Sequence, residues 1–175
     1  AAFRAGRRRL LDLDATVTQV DDVLLAYGDH TYATGVFSQL DLTDGHYRYI
    51  NAGHPAPVLL RGGRVIKSLD EGRRILLGLE GNHAAIGTEH LEHGDWLILY
   101  TDGVPEARGS DGEFFGVERL VDVVERCAAD QQNAAETLRR VTHAVLDHQR
   151  HVLQDDATLV IVQWMTARER ELRAT

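Results

Sequence analysis

Trp96-Leu97-Ile98-Leu99-Tyr100 runs directly into Thr101-Asp102-Gly103, and this stretch decides the fold. Five residues that are apolar on both faces predict a strand at the centre of a sheet rather than at its edge. A carboxylate at the end of such a strand is held more rigidly than one on a loop tip. Asp155-Asp156-Ala157-Thr158 opens a second apolar run, Leu159 to Trp164. If the two strands pair antiparallel, the end of the first lies beside the start of the second, and Asp102 converges with Asp155. Carboxylates brought together repel unless a cation or a shared proton lies between them. An all-oxygen site suits a hard ion such as Mg²⁺ or Mn²⁺. Successive side chains of an extended chain point opposite ways, so one acid of the 155–156 pair faces the ion, and Asp155 is the expected ligand. A third oxygen-rich turn, Asn51-Ala52-Gly53-His54-Pro55, follows an earlier strand. Together the three turns point to metal-dependent hydrolysis.

Working outward, Val20, Val23, Leu24 and Tyr27 recur at helical spacing behind Thr18 and Asp21, which predicts a helix over 18–27 opened by a capping box. An earlier helix is expected over 2–12. Strand-like segments at 34–42 and 46–52 flank the turn Thr43-Asp44-Gly45, and a second hairpin joins 57–60 to 64–66 through Gly62-Gly63. Residues 68–85 read as a surface flap. Two further strands, 86–91 and 95–101, surround His93-Gly94. Helical periodicity returns at Val117, Leu120, Val121 and Val124, then at Leu138, Val141, Val145 and Val152. Strands joined mostly by hairpins, with helices segregated from them, define an α+β layered fold. The domain is expected to span 1–165, with 166–175 a polar tail or the start of a linker.

The chain has 175 residues and a formal charge of −8. That length fits one domain, able to bury roughly 70% of its unfolded surface. The acidic balance argues against nucleic acid and anionic membranes as partners, and no apolar run has the length of a membrane span. Cys127 is the lone cysteine, so the expectation is a cytoplasmic protein without disulfides, with Cys127 packed in a core. Ser38, Ser68 and Ser110 lie in no G-x-S-x-G elbow, and no phosphate-binding G-x-x-x-x-G-K-[ST] loop occurs. His90 and His93 lack a third ligand. His143, His148 and His151 read as solvated or partly packed on a helix. His54, set between Gly53 and Pro55, reads as a hydrogen-bonding turn residue or a catalytic acid. An unrelated metallohydrolase using Asp102, Asp155 and His54 directly remains an alternative.

Tyr100-Thr101-Asp102-Gly103-Val104-Pro105-Glu106-Ala107, Asn51 to Pro55, Phe114 to Leu120 and Asp155 to Thr158 resemble, in order and spacing, the SpoIIE-like branch of the bacterial metal-dependent phosphatases, relatives of protein phosphatase 2C. The resemblance covers residues 1–165. It implies two antiparallel β-sheets packed as a sandwich flanked by helices, and hydrolysis of phosphoserine or phosphothreonine on a regulatory protein of the anti-anti-sigma kind. It further implies two Mn²⁺ or Mg²⁺ ions that activate water, with no protein nucleophile. By this resemblance Asp102 and Asp155 are metal ligands, and Asn51, Thr101, Gly103, Asp156 and Thr158 support them.

Members of the branch also carry upstream Gly-Asp-x-x-Asp and Asp-x-x-Gly-His-Gly segments, whereas Ala1-Ala2 here resembles the helix that follows those segments. This stretch is therefore expected to be N-terminally truncated, and weak or inactive alone, because two carboxylates leave most of an Mg²⁺ shell to water. Ile75-Leu76-Leu77-Gly78 departs from the pattern, which has Pro before Leu-Gly. Sensor domains in the same or another chain are expected partners, and exposed sheet edges favour a homodimer. A catalytically inactive module that binds a regulator is the rival reading.

Overall fold

The computed structural model describes residues 12–28, 31–79, 85–150 and 155–165. The chain divides into two compact units, one of residues 1–56 and 69–91, the other of residues 57–68 and 92–175.

In the first unit, α1 (Leu13–Ala26) begins where Asp12 accepts a hydrogen bond from the Ala15 amide. This start lies five residues ahead of the expected one. Thr18 therefore sits inside the helix and caps nothing, while Asp21 turns inward to Arg74 and to the Gly78 amide, at 2.5 and 2.6 Å. The buried face is accordingly Leu13, Thr16 and Val17, and Val23 and Tyr27 of the predicted stripe are exposed. Residues 2–11 of the helix expected over 2–12 lie outside the described residues, and Asp12 is the extended cap of α1.

β1 (Gly35–Leu40) and β2 (His46–Ala52) form the first predicted hairpin. On its other side β2 pairs antiparallel with β6 (Gly87–His90) and, for two residues, parallel with β5 (Arg73–Arg74). Leu13 and Val17 pack with Ile50, Ala52 and Leu77. The segment read as a surface flap thus contributes core residues, since Leu69 and Leu77 are fully buried and Leu77 bridges Ala33.

The second unit holds an antiparallel sheet of β3 (Val58–Arg61), β4 (Arg64–Ser68), β7 (Trp96–Tyr100) and β8 (Leu159–Gln163), in the order β4-β3-β7-β8. β7 is internal, as its apolar run predicts. It forms no hairpin with β6 around His93-Gly94. Gly94 donates instead to Trp164 at 2.9 Å, and β7 takes β3 and β8 as its neighbours. The buried Asp95 at its start is gripped by Arg61 through two nitrogens, at 3.0 and 2.7 Å.

α2 (Gly116–Ala129) and α3 (Ala134–His148) cover one face of this sheet, and Leu120, Val124, Val141 and Val145 pack with Val58, Leu60, Trp96, Ile98 and Tyr100. Cys127 is buried there. The expected apolar position Val152 lies outside the described residues.

Candidate active site

Tyr100 pairs with Leu159 as the last residue pair of β7 and β8, so both acidic turns leave the sheet at one end. Thr101 then fastens the two turns together. Its amide donates to the Thr158 carbonyl at 3.0 Å, its hydroxyl accepts from the Thr158 amide at 2.8 Å, and the same hydroxyl donates to the Asp156 carbonyl at 3.3 Å. Gly103 brings the turns into backbone contact. A Cβ at that position would stand 2.5 Å from the Asp156 carbonyl oxygen, well inside van der Waals contact. The turn closes on itself through Val104 to Thr101 at 3.1 Å and Glu106 to Asp102 at 2.9 Å, and the buried Val104 anchors it.

Asp102 and Asp155 thus occupy adjoining, solvent-exposed turns whose separation is set by backbone contacts. One Asp155 oxygen accepts from the Asp156 amide at 2.7 Å, which orients the carboxylate and leaves its remaining lone pairs available. Asp156 and Thr158 act here through their backbone groups. Both acids are hard oxygen donors, of the type Mg²⁺ and Mn²⁺ prefer. Among the described residues no group of three or more His, Cys, Asp or Glu gathers to hold an ion. The donor chemistry of the two carboxylates is of the kind that fits a divalent cation.

Asn51 and His54 belong to the first unit, where they build a turn of their own. The buried Asn51 side chain accepts from the His54 amide and donates to the His54 carbonyl, both at 2.8 Å. Gly53 sits at φ +65° with its Cα face against Leu76, where a Cβ would come within 3.1 Å. The positive φ is one a side chain rarely adopts. His54 Nδ1 lies 3.2 Å from the Thr34 hydroxyl. The Asn-Ala-Gly-His segment is thus a stapled turn, with Asn51 as the staple.

Sequence reasoning missed an apolar recess of about 440 Å³ beside the acidic turns, lined by Val104, Leu138, Val145, Leu146, Ala157 and Leu159. Its only sequence signal is Leu138, an apolar helix position that stays exposed.

Two sheets with helices place the chain among folds of the protein phosphatase 2C type. The SiaA-PP2C domain of Pseudomonas aeruginosa superposes with a TM-score of 0.77 at 19% identity, over 93% of this chain and 65% of that one. The family described as Stage II sporulation protein E (SpoIIE) matches residues 1–165, and the chain belongs to it. Protein IcfG of Synechocystis is 31% identical over 86% of this chain and 24% of its own length. The phosphoserine phosphatase RsbU of Bacillus subtilis is 25% identical over 75% of this chain and 39% of its own. The chain thus spans less than half the length of these relatives. No helix among the described residues is long and apolar enough to cross a membrane.

Proposed function

We propose that this domain removes phosphate from phosphoserine or phosphothreonine of a regulatory protein in the cytoplasm, with Asp102 and Asp155 supplying part of the ligand set for two Mn²⁺ or Mg²⁺ ions. The observation that carries the reading is the clamp of Thr101 and Gly103 on residues 156–158, which fastens together the turns that bear Asp102 and Asp155 in a chain of the SpoIIE family. When bound, such ions lower the pKa of a coordinated water and offset charge on phosphate oxygens.

The chain's own part is positional. Asp102 and Asp155 hold the cations, Thr101 and Gly103 fix their spacing, and Asn51 shapes the turn presenting His54. No side-chain nucleophile is required, and Cys127, at 1% exposure, is out of reach of any substrate. An anti-anti-sigma type regulator is the proposed substrate, and sensor segments in the same or another chain would control access to it. The test is Mn²⁺-dependent phosphate release from a phosphoserine protein by the full-length chain. Asp102→Asn is expected to cut it by about a hundredfold or more, as loss of a metal-binding acid should. Undiminished release by that variant removes the role given to Asp102.

That no group of three or more His, Cys, Asp or Glu gathers among the described residues also favours a second reading, a phosphatase fold that binds a phosphorylated regulator without hydrolysing it. Calorimetric titration with Mn²⁺ separates the two, because the binding module takes up no ion at Asp102 and Asp155.

A further inference from the structure

Of the four stretches that carry the family resemblance, Phe114 to Leu120 is the one that lies outside the acidic turns and the Asn51–His54 turn. It opens α2 without a side-chain cap, since Phe115 stands at the N-cap in helical conformation and no side chain bonds there. The first amides of a helix have no partner inside it. Here they find one in the turn that follows Asp102. The Phe115 amide donates to the Ala107 carbonyl and the Gly116 amide to the Pro105 carbonyl, each at 2.8 Å. Between those two acceptors lies Glu106, whose own amide donates back to the Asp102 carbonyl at 2.9 Å. Phe115, Val104 and Ala107 are buried in one core cluster, so this strap has a packed base.

Gly116 makes the strap possible through its backbone. Its φ is +80°, a region that glycine enters freely and a β-carbon penalises. Space is not the reason for the glycine. A Cβ there would meet only a Glu118 carboxylate oxygen, at 3.1 Å, the far end of a flexible side chain. Conformation alone therefore selects it. With α2 held by its packing on the sheet, a return to negative φ rotates the Gly116 amide away from Pro105. Gly112 supplies an internal comparison. It lies in the hairpin that Arg108 and Phe114 close, at a φ of +84° and in open space, but its amide donates to Gly109 within that hairpin.

We infer that Gly116 is a positioning residue for the turn carrying Asp102. Its left-handed backbone lets the start of α2 grip Pro105 and Ala107, and that grip is a second fastening of the turn, besides the clamp of Thr101 and Gly103 on residues 156–158.

The test compares Gly116→Ala, Gly116→Asn and Gly112→Ala in the full-length chain. Asparagine tolerates positive φ better than alanine does. Gly116→Ala should lower the hydrogen-exchange protection of the Glu106 amide by about tenfold, and should weaken Mn²⁺ binding in calorimetric titration by about tenfold or more, as loss of a group that orients a ligand does. Gly116→Asn should recover most of both losses. Gly112→Ala, strained alike but off the strap, should leave both within about twofold of the parent, because its strain stays in the hairpin. A Gly116→Asn protein as impaired as Gly116→Ala overturns the assignment. So does a Gly112→Ala protein that matches Gly116→Ala, or a Gly116→Ala protein that matches the parent. Should Gly116→Ala fail to fold, the parent decides: its Gly116 and Glu106 amides should exchange through one shared opening, and a Glu106 amide that exchanges freely beside a protected Gly116 overturns the coupling. The bearing on catalysis rests on the proposed phosphatase reading. A parent that takes up Mn²⁺ yet releases no phosphate refutes that reading and leaves Gly116 to be judged by exchange and Mn²⁺ affinity. In a parent that takes up no Mn²⁺ that reading falls as well, and the exchange of Glu106 decides alone.

Discussion

Asp102 and Gly103 are neighbours in one turn, yet they answer to different forces. The Asp102 side chain is exposed and makes no hydrogen bond among those identified in the described residues, so Asp102→Asn should leave unfolding free energy within about 0.5 kcal/mol of the parent. Gly103 has no room for a methyl group against the Asp156 carbonyl. Gly103→Ala must push the two acidic turns apart, at a cost of about 1–3 kcal/mol by analogy with overpacked cores. It should weaken Mn²⁺ binding although no ligand has changed. Thermal unfolding and Mn²⁺ titration of the two variants check this, and a Gly103→Ala protein as stable and as tight for Mn²⁺ as the parent refutes the spacing argument. The acids themselves were legible in sequence, because a carboxylate closing a buried strand stands out. The reason for the glycine was not, since it depends on a backbone more than fifty residues away. The contacts of His148 were illegible for a similar cause: His143 and His148 look alike in sequence until the Glu113 carbonyl and Arg119 are placed around one of them.

Among the elements, α1 shows how a local motif yields to a tertiary one. Thr18 and Asp21 have capping-box spacing, but Asp21 binds Arg74, whose side chain is 2% exposed, and also accepts from the Gly78 amide. A buried guanidinium without its partner is costly, so the carboxylate is drawn inward and the helix extends back to Leu13. Asp21→Ala should therefore lower the free energy of unfolding by about 3–5 kcal/mol, the loss seen when one member of a buried pair is removed. Asp21→Asn keeps an acceptor for Gly78 and should lose less. Denaturant unfolding distinguishes these outcomes, and an Asp21→Ala protein within about 0.5 kcal/mol of the parent would show that water replaces the carboxylate at Arg74. The hairpins β1–β2 and β3–β4 were legible because their turns carry local signals, Thr43-Asp44-Gly45 and Gly62-Gly63. The separation of β6 from β7 was not, since it rests on which distant strands compete for each edge.

On the scale of the molecule, the α+β class and the central place of β7 follow from hydrophobic pattern alone, whereas strand order depends on pairing across long loops. That order leaves β8 at the edge of its sheet, with no strand on its outer side among the described residues. Val160 is 46% and Val162 36% exposed there. An edge strand of five residues with apolar side chains outward and no lysine or proline to blunt it is a template for further pairing. The expected outcome is concentration-dependent self-association of residues 1–175. Light scattering over roughly a hundredfold concentration range should register it, because edge pairing is a bimolecular equilibrium. Val162→Lys places a charge on the outward face of β8 while leaving Leu159 and Ile161, which pack toward the helices, in place. It should shift the population to monomer without lowering the melting temperature by more than a surface substitution does. A parent chain that stays monomeric throughout, or a Val162→Lys variant that associates as strongly as the parent, places the association elsewhere or removes it. Either result would mean that the edge of β8 is covered by other means.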